Sequence, residues 1–500
     1  MSTIRRQSII SSTVIYIGFA VGLLNTYFFT KEGLFTEAEY GLTSIFIAIA
    51  TMMYVFAMMA TPSYIFKFYH YYNDHLPPSK NDMITWSLLV SLFGFLLVMI
   101  AGWFFKDIVI RKFGEKSPIL LTYYYWIFPM GLGLTIYSVL EAYAWNLGKS
   151  VLTSFLKEVQ WRLLTTVLII LMITGIIKDF SLFIKLYAFT YPAIALTLFI
   201  YLVATKKIHF TFTVSKVSRR YFGKILRLCL FVYSGTLIFT LSQVFDTLVL
   251  AVKSGADVAG IFALAQIMGS VIQAPQRGIV AASISHLSKA WKEKNMDLLQ
   301  RVYQRSSINQ LIFASGLFIL ITLNYNEAIL TFHLKETYLA GFSAFILLGL
   351  MRIVDMGTGV NAQIISTSNY WKFELISGVI LLALMLPLTY FLTIKYGLIG
   401  PAIANLISIT IYNIVRIVFL WKKFRLFPFT IQSLYTILLA ASSFAICYYA
   451  FITLHGFAGL FARSIAFIAL YSAGAIYLNL SPDIQPVWYT IQKRLGIKKD

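Results

Sequence analysis

Arg277 follows Pro275 by two residues in an otherwise apolar stretch, and it is the side chain here with most chemistry to explain. A guanidinium presents a rigid fork of donors that matches the oxygens of a phosphate or carboxylate. Arg277 therefore reads either as a contact for an anionic ligand or as a structural cation, paired or reaching toward lipid headgroups. Arg352 and Asp355 stand three apart in another apolar run, on one face of a helix. They form either an intrahelical ion pair or a paired site that a ligand or a proton opens. Asp246 closes a third run and is the candidate for ion coupling, with contact to water at the membrane edge as the simpler reading. Gln266, Gln273, Asn361 and Gln363 are uncharged polar groups within such runs. They suit hydroxyl-rich ligands lining a cleft and equally suit hydrogen bonds between helices. Arg416 reads as a snorkelling cation, Glu158 and Arg162 as a pair on a helix surface, and Gly18 with Gly22 as a close-packing GxxxG. Cys229 and Cys447 both lie in apolar runs, and the six histidines are scattered, so neither a disulfide framework nor a metal-ligand spacing is present. No cofactor is expected.

These residues are rare exceptions in a chain that is 59% hydrophobic and only 12% charged, with a mean hydropathy of +0.77. A soluble chain carries about 25% charged residues. The apolar residues gather in runs of the length that crosses a bilayer as a helix, and runs such as 89–105 and 166–177 show no two-residue alternation, which excludes a membrane β-barrel. The sequence predicts an all-α, polytopic membrane protein of about fourteen spans, at 9–30, 41–66, 84–105, 119–142, 150–174, 182–204, 224–252, 257–286, 304–326, 337–366, 372–394, 398–421, 430–454 and 458–480. The first, behind Arg5 and Arg6, lacks a cleavage pattern and reads as a retained span. Of the 41 Lys and Arg, 27 fall on one side of this arrangement, 11 on the other, and Arg277, Arg352 and Arg416 lie inside. The positive-inside rule then puts both termini in the cytoplasm. Segment 106–118, with Lys106, Arg111, Lys112 and Lys116, dissents locally. The net charge of +21 is spread over short loops, which points to anionic headgroups and not to nucleic acid.

An internal repeat organises the spans. Pro192-Ala193-Ile194-Ala195 returns as Pro401-Ala402-Ile403-Ala404, and each is followed by a lysine pair, Lys206-Lys207 and Lys422-Lys423. Asn146 and Lys149 are matched by Asn369 and Lys372, and EAEYG at 37–41 by ADVAG at 256–260. The expected organisation is a six-helix lobe over 1–205, a cytoplasmic linker over 206–222, and a second lobe over 223–428. Two added helices over 429–480 and a basic tail over 481–500, including Lys493 to Lys499, complete it. Even-numbered halves point the same way, so the lobes are related by a pseudo-twofold along the membrane normal and enclose a cleft suited to alternating access. No GxxxxGK[ST] pattern and no loop of domain size is present, so neither ATP hydrolysis nor a soluble catalytic domain is expected.

The stretch 246–295 combines an acid near the end of a span, a glycine-containing acidic turn, GIFALAQ, a mid-span proline and a basic helix. It resembles spans seven and eight of the polysaccharide-type flippases in the multidrug/oligosaccharidyl-lipid/polysaccharide exporter superfamily. YGLTSIFIAIA at 40–50 resembles the start of the same fold. The resemblance implies a bacterial inner-membrane flippase for undecaprenyl-pyrophosphate-linked oligosaccharide serving O-antigen, capsule or exopolysaccharide. Implied partners are the lipid-linked oligosaccharide, membrane lipids and other membrane proteins of polysaccharide assembly. One rival is an ion-coupled small-molecule exporter of that superfamily, disfavoured by Asn25 in the first span where an acid is usual and by mid-membrane charges that lean basic. A membrane-embedded glycan polymerase is the other, and it lacks a catalytic loop here.

Overall fold

A computed structural model describes residues 3–370 and 372–486, with the side chains of residues 3–9, 11, 12, 277, 281, 282 and 285 outside that description. The expected basic tail therefore lies largely outside the described residues. By internal contacts the chain divides into two compact units, Met1–Gly260 and Ile261–Asp500.

The first unit begins with α1 (Thr3–Thr30), α2 (Glu37–Met58) and α3 (Thr61–Asn73). A capping box starts α2: the Glu39 carboxylate accepts from Thr36 N at 2.7 Å, and the Thr36 hydroxyl accepts from Glu39 N at 3.2 Å. Left-handed Met59 and Ala60 then stop α2, and Pro62 opens α3 in the first helical turn, where its missing N–H costs nothing. There follow α4 (Met83–Phe104), α5 (Lys106–Phe113), α6 (Pro118–Thr122), α7 (Ile127–Asn146) and α8 (Ser150–Ser154). A π-helical turn over Phe155–Gln160 joins α8 to α9 (Trp161–Ile173). Helices α10 (Phe180–Ala188), α11 (Thr190–Ala204) and α12 (Lys216–Lys253) complete the unit, with Ser215 capping α12. The dissenting segment 106–118 holds the short helix α5 and ends at the start of α6. Residues of α5 are exposed or half-buried, and Lys106 lies 4.8 Å from the Tyr125 ring, as an interfacial helix would place it.

Helix α13 (Ala256–Gln273) starts in the first unit and passes into the second. Then come α14 (Gln276–Lys292), α15 (Met296–Thr331), α16 (Gly341–Gly357), α17 (Asn361–Thr367), α18 (Lys372–Tyr396), α19 (Gly400–Phe424), α20 (Ile431–Ala450) and α21 (Gly456–Tyr477). One core of this unit joins Leu287, Leu299, Tyr303, Ile364 and Leu420. A second joins Leu323, Cys447, Phe467 and Tyr471, and fixes α20 and α21 on α15. Tyr471 seals it with a 2.8 Å hydrogen bond between its hydroxyl and Ser315 Oγ.

Among the described residues, twelve stretches are long and apolar enough to cross a membrane. One of them, Lys372–Phe424, contains α18 and α19, which pack on each other after the chain reverses around Gly397 at φ +56°. The fifth expected span, α8 through α9, is helical too but less apolar, because it carries Lys157, Glu158 and Arg162. Counting both, the helical passes match the fourteen expected. Leu92, Phe93, Leu96 and Ile100 of α4 are exposed, as lipid-facing side chains must be.

Candidate functional site

In the first unit, charged side chains meet around the π-helical turn. Accommodating one extra residue, the turn aims Lys157 and Glu158 differently from a regular α-helix. Lys157 Nζ lies 3.3 Å from Glu141 Oε2 on α7. Glu158 pairs with Arg162 at 2.6 Å, one turn further along. Asn25 of α1 donates from Nδ2 to the Arg162 carbonyl at 2.8 Å and accepts from the Thr166 hydroxyl at 2.6 Å. Gly18 and Gly22 allow this approach. A Cβ on Gly18 would overlap the Glu158 carbonyl, and one on Gly22 would lie 2.9 Å from Arg162 Nε. The close packing expected of this glycine pair is therefore present. The expected Glu158–Arg162 pair is also present, but half-buried against α1 and not on a free surface.

In the second unit, Arg416 on α19 corrects the snorkelling expectation. It is buried and paired with Glu374 of α18, and it stacks on Tyr412 with its guanidinium carbon 3.8 Å from the ring centroid. Arg416 Nη1 also donates to Asn361 Oδ1 at 3.4 Å. Asn361 Nδ2 donates to Asn413 Oδ1 at 2.8 Å, and Asn413 Nδ2 donates to Asp355 Oδ1 at 3.1 Å. The structure thus brings Asp355 and Asn361 together in one polar knot linking α16, α17 and α19. This contact of Asp355 is interhelical. The Glu374 Oε2 and Arg416 Nε atoms are buried with no hydrogen-bond partner among the described residues.

The remaining candidates are spread over α12, α13, α14, α16 and α17. Gln273 Nε2 donates to Gln276 Oε1 at 2.7 Å across the break between α13 and α14. Gln266 is half-buried on α13, Gln363 on α17 and Arg352 on α16. Arg277 falls on α14, with its side chain outside the described residues. Asp246 on α12 is buried, which corrects its expected contact with water at the edge. A third cluster went unread in the sequence. Glu327, at the end of α15, accepts from Gly456 N at 2.5 Å, lies 3.2 Å from His455 Nδ1 and pairs with Arg463 of α21 at 3.3 Å.

These pairings revise the reading of intramembrane charge. Lys157 and Arg162 face Glu141 and Glu158, Arg416 faces Glu374, and Arg463 faces Glu327. These cations are therefore offset by acids, three of them on neighbouring helices and Glu158 one turn from Arg162. Burial of a charge within lipid or protein requires such a partner.

Searched by sequence, no family model and no curated protein matches the chain. Solved structures do match. A lipid II flippase MurJ, in an inward closed conformation, superposes with a TM-score of 0.73 at 16% identity, covering 94% of this chain and 99% of that one. An inward-facing multidrug-resistance MATE transporter of the MOP superfamily gives 0.63 at 17% identity, covering 83% and 97%. A MOP superfamily transporter from Pyrococcus furiosus, described by the reversed polarity of its binding pocket, gives 0.57 at 18%, covering 84% and 95%. The chain has the fold of the MurJ and MATE transporters. That fold establishes an all-helical, multi-span membrane architecture, as the hydropathy pattern predicted.

Proposed function

We propose that this chain is a transporter that moves a lipid-linked, phosphate-bearing oligosaccharide across the bacterial inner membrane by alternating access. Both chain termini are then cytoplasmic, and the substrate serves surface-polysaccharide assembly. The observation that carries the reading is the extent of the likeness to the lipid II flippase, 94% of this chain and essentially all of that one. The MATE likeness takes in 83% of the chain at a lower score. In this proposal the repeat lobes 1–205 and 223–428 rock about their cleft, with 429–480 as an added pair. Arg277, Arg352, Gln266, Gln273 and Gln363 are the candidate substrate contacts, and Asp246 the candidate coupling acid. Asp355 and Asn361 are reassigned to holding α16, α17 and α19 in register.

A second reading, ion-coupled export of a small molecule, is favoured by one observation. Glu158 packs against Gly18 of the first span, supplying from another helix the acid which that span lacks. Inner-membrane vesicles from a strain lacking the gene separate the two. A flippase predicts lipid-linked oligosaccharide that a lectin cannot reach from the periplasmic face, restored by the wild-type chain and not by Arg277→Ala. Normal translocation, together with heightened sensitivity to toxic cations, would sink the flippase and establish the exporter.

A further inference from the structure

The first three turns of α12 carry Lys216, Arg219, Arg220, Lys224 and Arg227 with no acid in the first turn. All five are exposed, and among the described residues none forms an ion pair. This places positive charge where the helix dipole is already positive, an arrangement that repels itself unless an anion joins it. The Asp82 carboxylate meets the helix start itself, but among the described residues no carboxylate pairs with the five exposed cations. The nearby Asp82 carboxylate is fully buried behind the helix start, where Oδ2 accepts from Ser215 N and from Ser218 Oγ, both at 2.8 Å.

Beside this basic end lies an apolar cavity of about 830 Å³, bounded by α3, α4 and α12. Its polar end is marked by Arg219, Ser218 and the Tyr72 hydroxyl, which is 2.7 Å from Ser218 Oγ. Its apolar wall is formed by Val90, Leu226, Cys229 and Leu230 among others. Phe222, Leu226 and Leu230 are themselves exposed on α12, so the mouth is open along a lipid-facing wall. The volume lies within the roughly 300–1,000 Å³ of small-molecule sites.

We propose that this cavity is a lateral site for an anionic phospholipid, its acyl chain between α4 and α12 and its phosphate against Arg219. The assignment rests on the charge complementarity at one end and the apolar wall at the other, and it is independent of what the protein transports. The bilayer is the reservoir, so even modest affinity fills the site by mass action. The Tyr72–Ser218 hydrogen bond and the Asp82 contacts hold α3, α4 and the α12 start together beneath the headgroup. An occupied site thus ties the basic end of α12 to the leaflet.

Cys229 supplies the probe, because it is one of only two cysteines. The full-length chain carrying Cys447→Ser is reconstituted in phosphatidylcholine vesicles with or without phosphatidylglycerol, and Cys229 is alkylated with an uncharged, membrane-permeant maleimide. Phosphatidylglycerol is expected to slow the labelling, and Arg219→Gln to relieve that protection by about fivefold, the factor one arginine contributes at an anionic surface. Arg301→Gln, an exposed cation of α15, is the control and should leave protection intact. Native mass spectrometry of the same proteins should show retained phosphatidylglycerol lost only with Arg219→Gln. Equal labelling in both vesicles, or protection that survives Arg219→Gln, overturns the site. Protection by a polyprenyl phosphate and not by phosphatidylglycerol overturns the phospholipid and makes the cavity part of a substrate path.

Discussion

Removing Arg416 alone strands the Glu374 carboxylate among apolar helices. Breaking a buried pair from one side typically costs about 3–5 kcal/mol, because the remaining charge keeps its desolvation penalty without its partner. Arg416→Met is therefore expected to lower thermal stability in detergent sharply. The double variant Arg416→Met, Glu374→Met should recover most of the loss, and thermal unfolding of the three proteins checks this. At the residue scale the sequence was legible only in part. It flagged Arg416 as an intramembrane cation, but its partner stands 42 residues earlier on another helix, invisible until α18 and α19 pack. Glu141 was hidden from the same reading for the same reason, since its cation Lys157 belongs to the next helix. Asp355 and Asn361 were singled out as candidates for a polar site. Their role as one knot depends on Asn413, whose type alone carried no signal.

Helix α1 gives a test at the scale of elements. Gly18→Ala places a methyl group into the Glu158 carbonyl, and backbone cannot yield as a flexible side chain would. Forced repacking of this kind costs about 1–3 kcal/mol, so the variant should melt earlier than wild type. Gly223→Ala on α12 meets nothing within 4 Å, and should be neutral or gain about 0.5–1 kcal/mol from helix propensity. Differential scanning fluorimetry of the pair reads both outcomes. GxxxG identified α1 as a close-packing helix from the sequence. What it packs against was not legible, because nothing in FLKEVQ distinguishes a π-helical turn from ordinary α-helix.

At the scale of the molecule, composition and run length were enough to predict a polytopic helical membrane protein, since lipid leaves the backbone so few alternatives. Two segments matched in the sequence meet within the first unit. The fifth residues of EAEYG and ADVAG, Gly41 and Gly260, face each other where α2 meets the start of α13. A Cβ on Gly41 would overlap the Ala256 carbonyl and lie 2.9 Å from Gly260 N, and one on Gly260 would overlap the Glu37 carbonyl. Gly41→Leu pushes these helices apart. If the proposed transport requires their contact, this variant should insert and remain monodisperse yet lose translocation in the vesicle assay, with Gly223→Ala as an unaffected control. Retained translocation would remove the contact from the cycle.

The π-helical turn between α8 and α9 has a genetic consequence. It holds one residue more than the α-helical turn it replaces, so deleting a single codon within 155–160 would restore a regular helix without breaking the chain. Everything beyond the deletion would then keep its facing, because the widened turn absorbs its extra residue locally. Arg162 and Thr166 would stay against Asn25, and only the aim that the widened turn gives Lys157 and Glu158 would be lost. A related chain lacking that codon would still insert and would pass for the same protein by hydropathy, with the start of its charge cluster re-aimed.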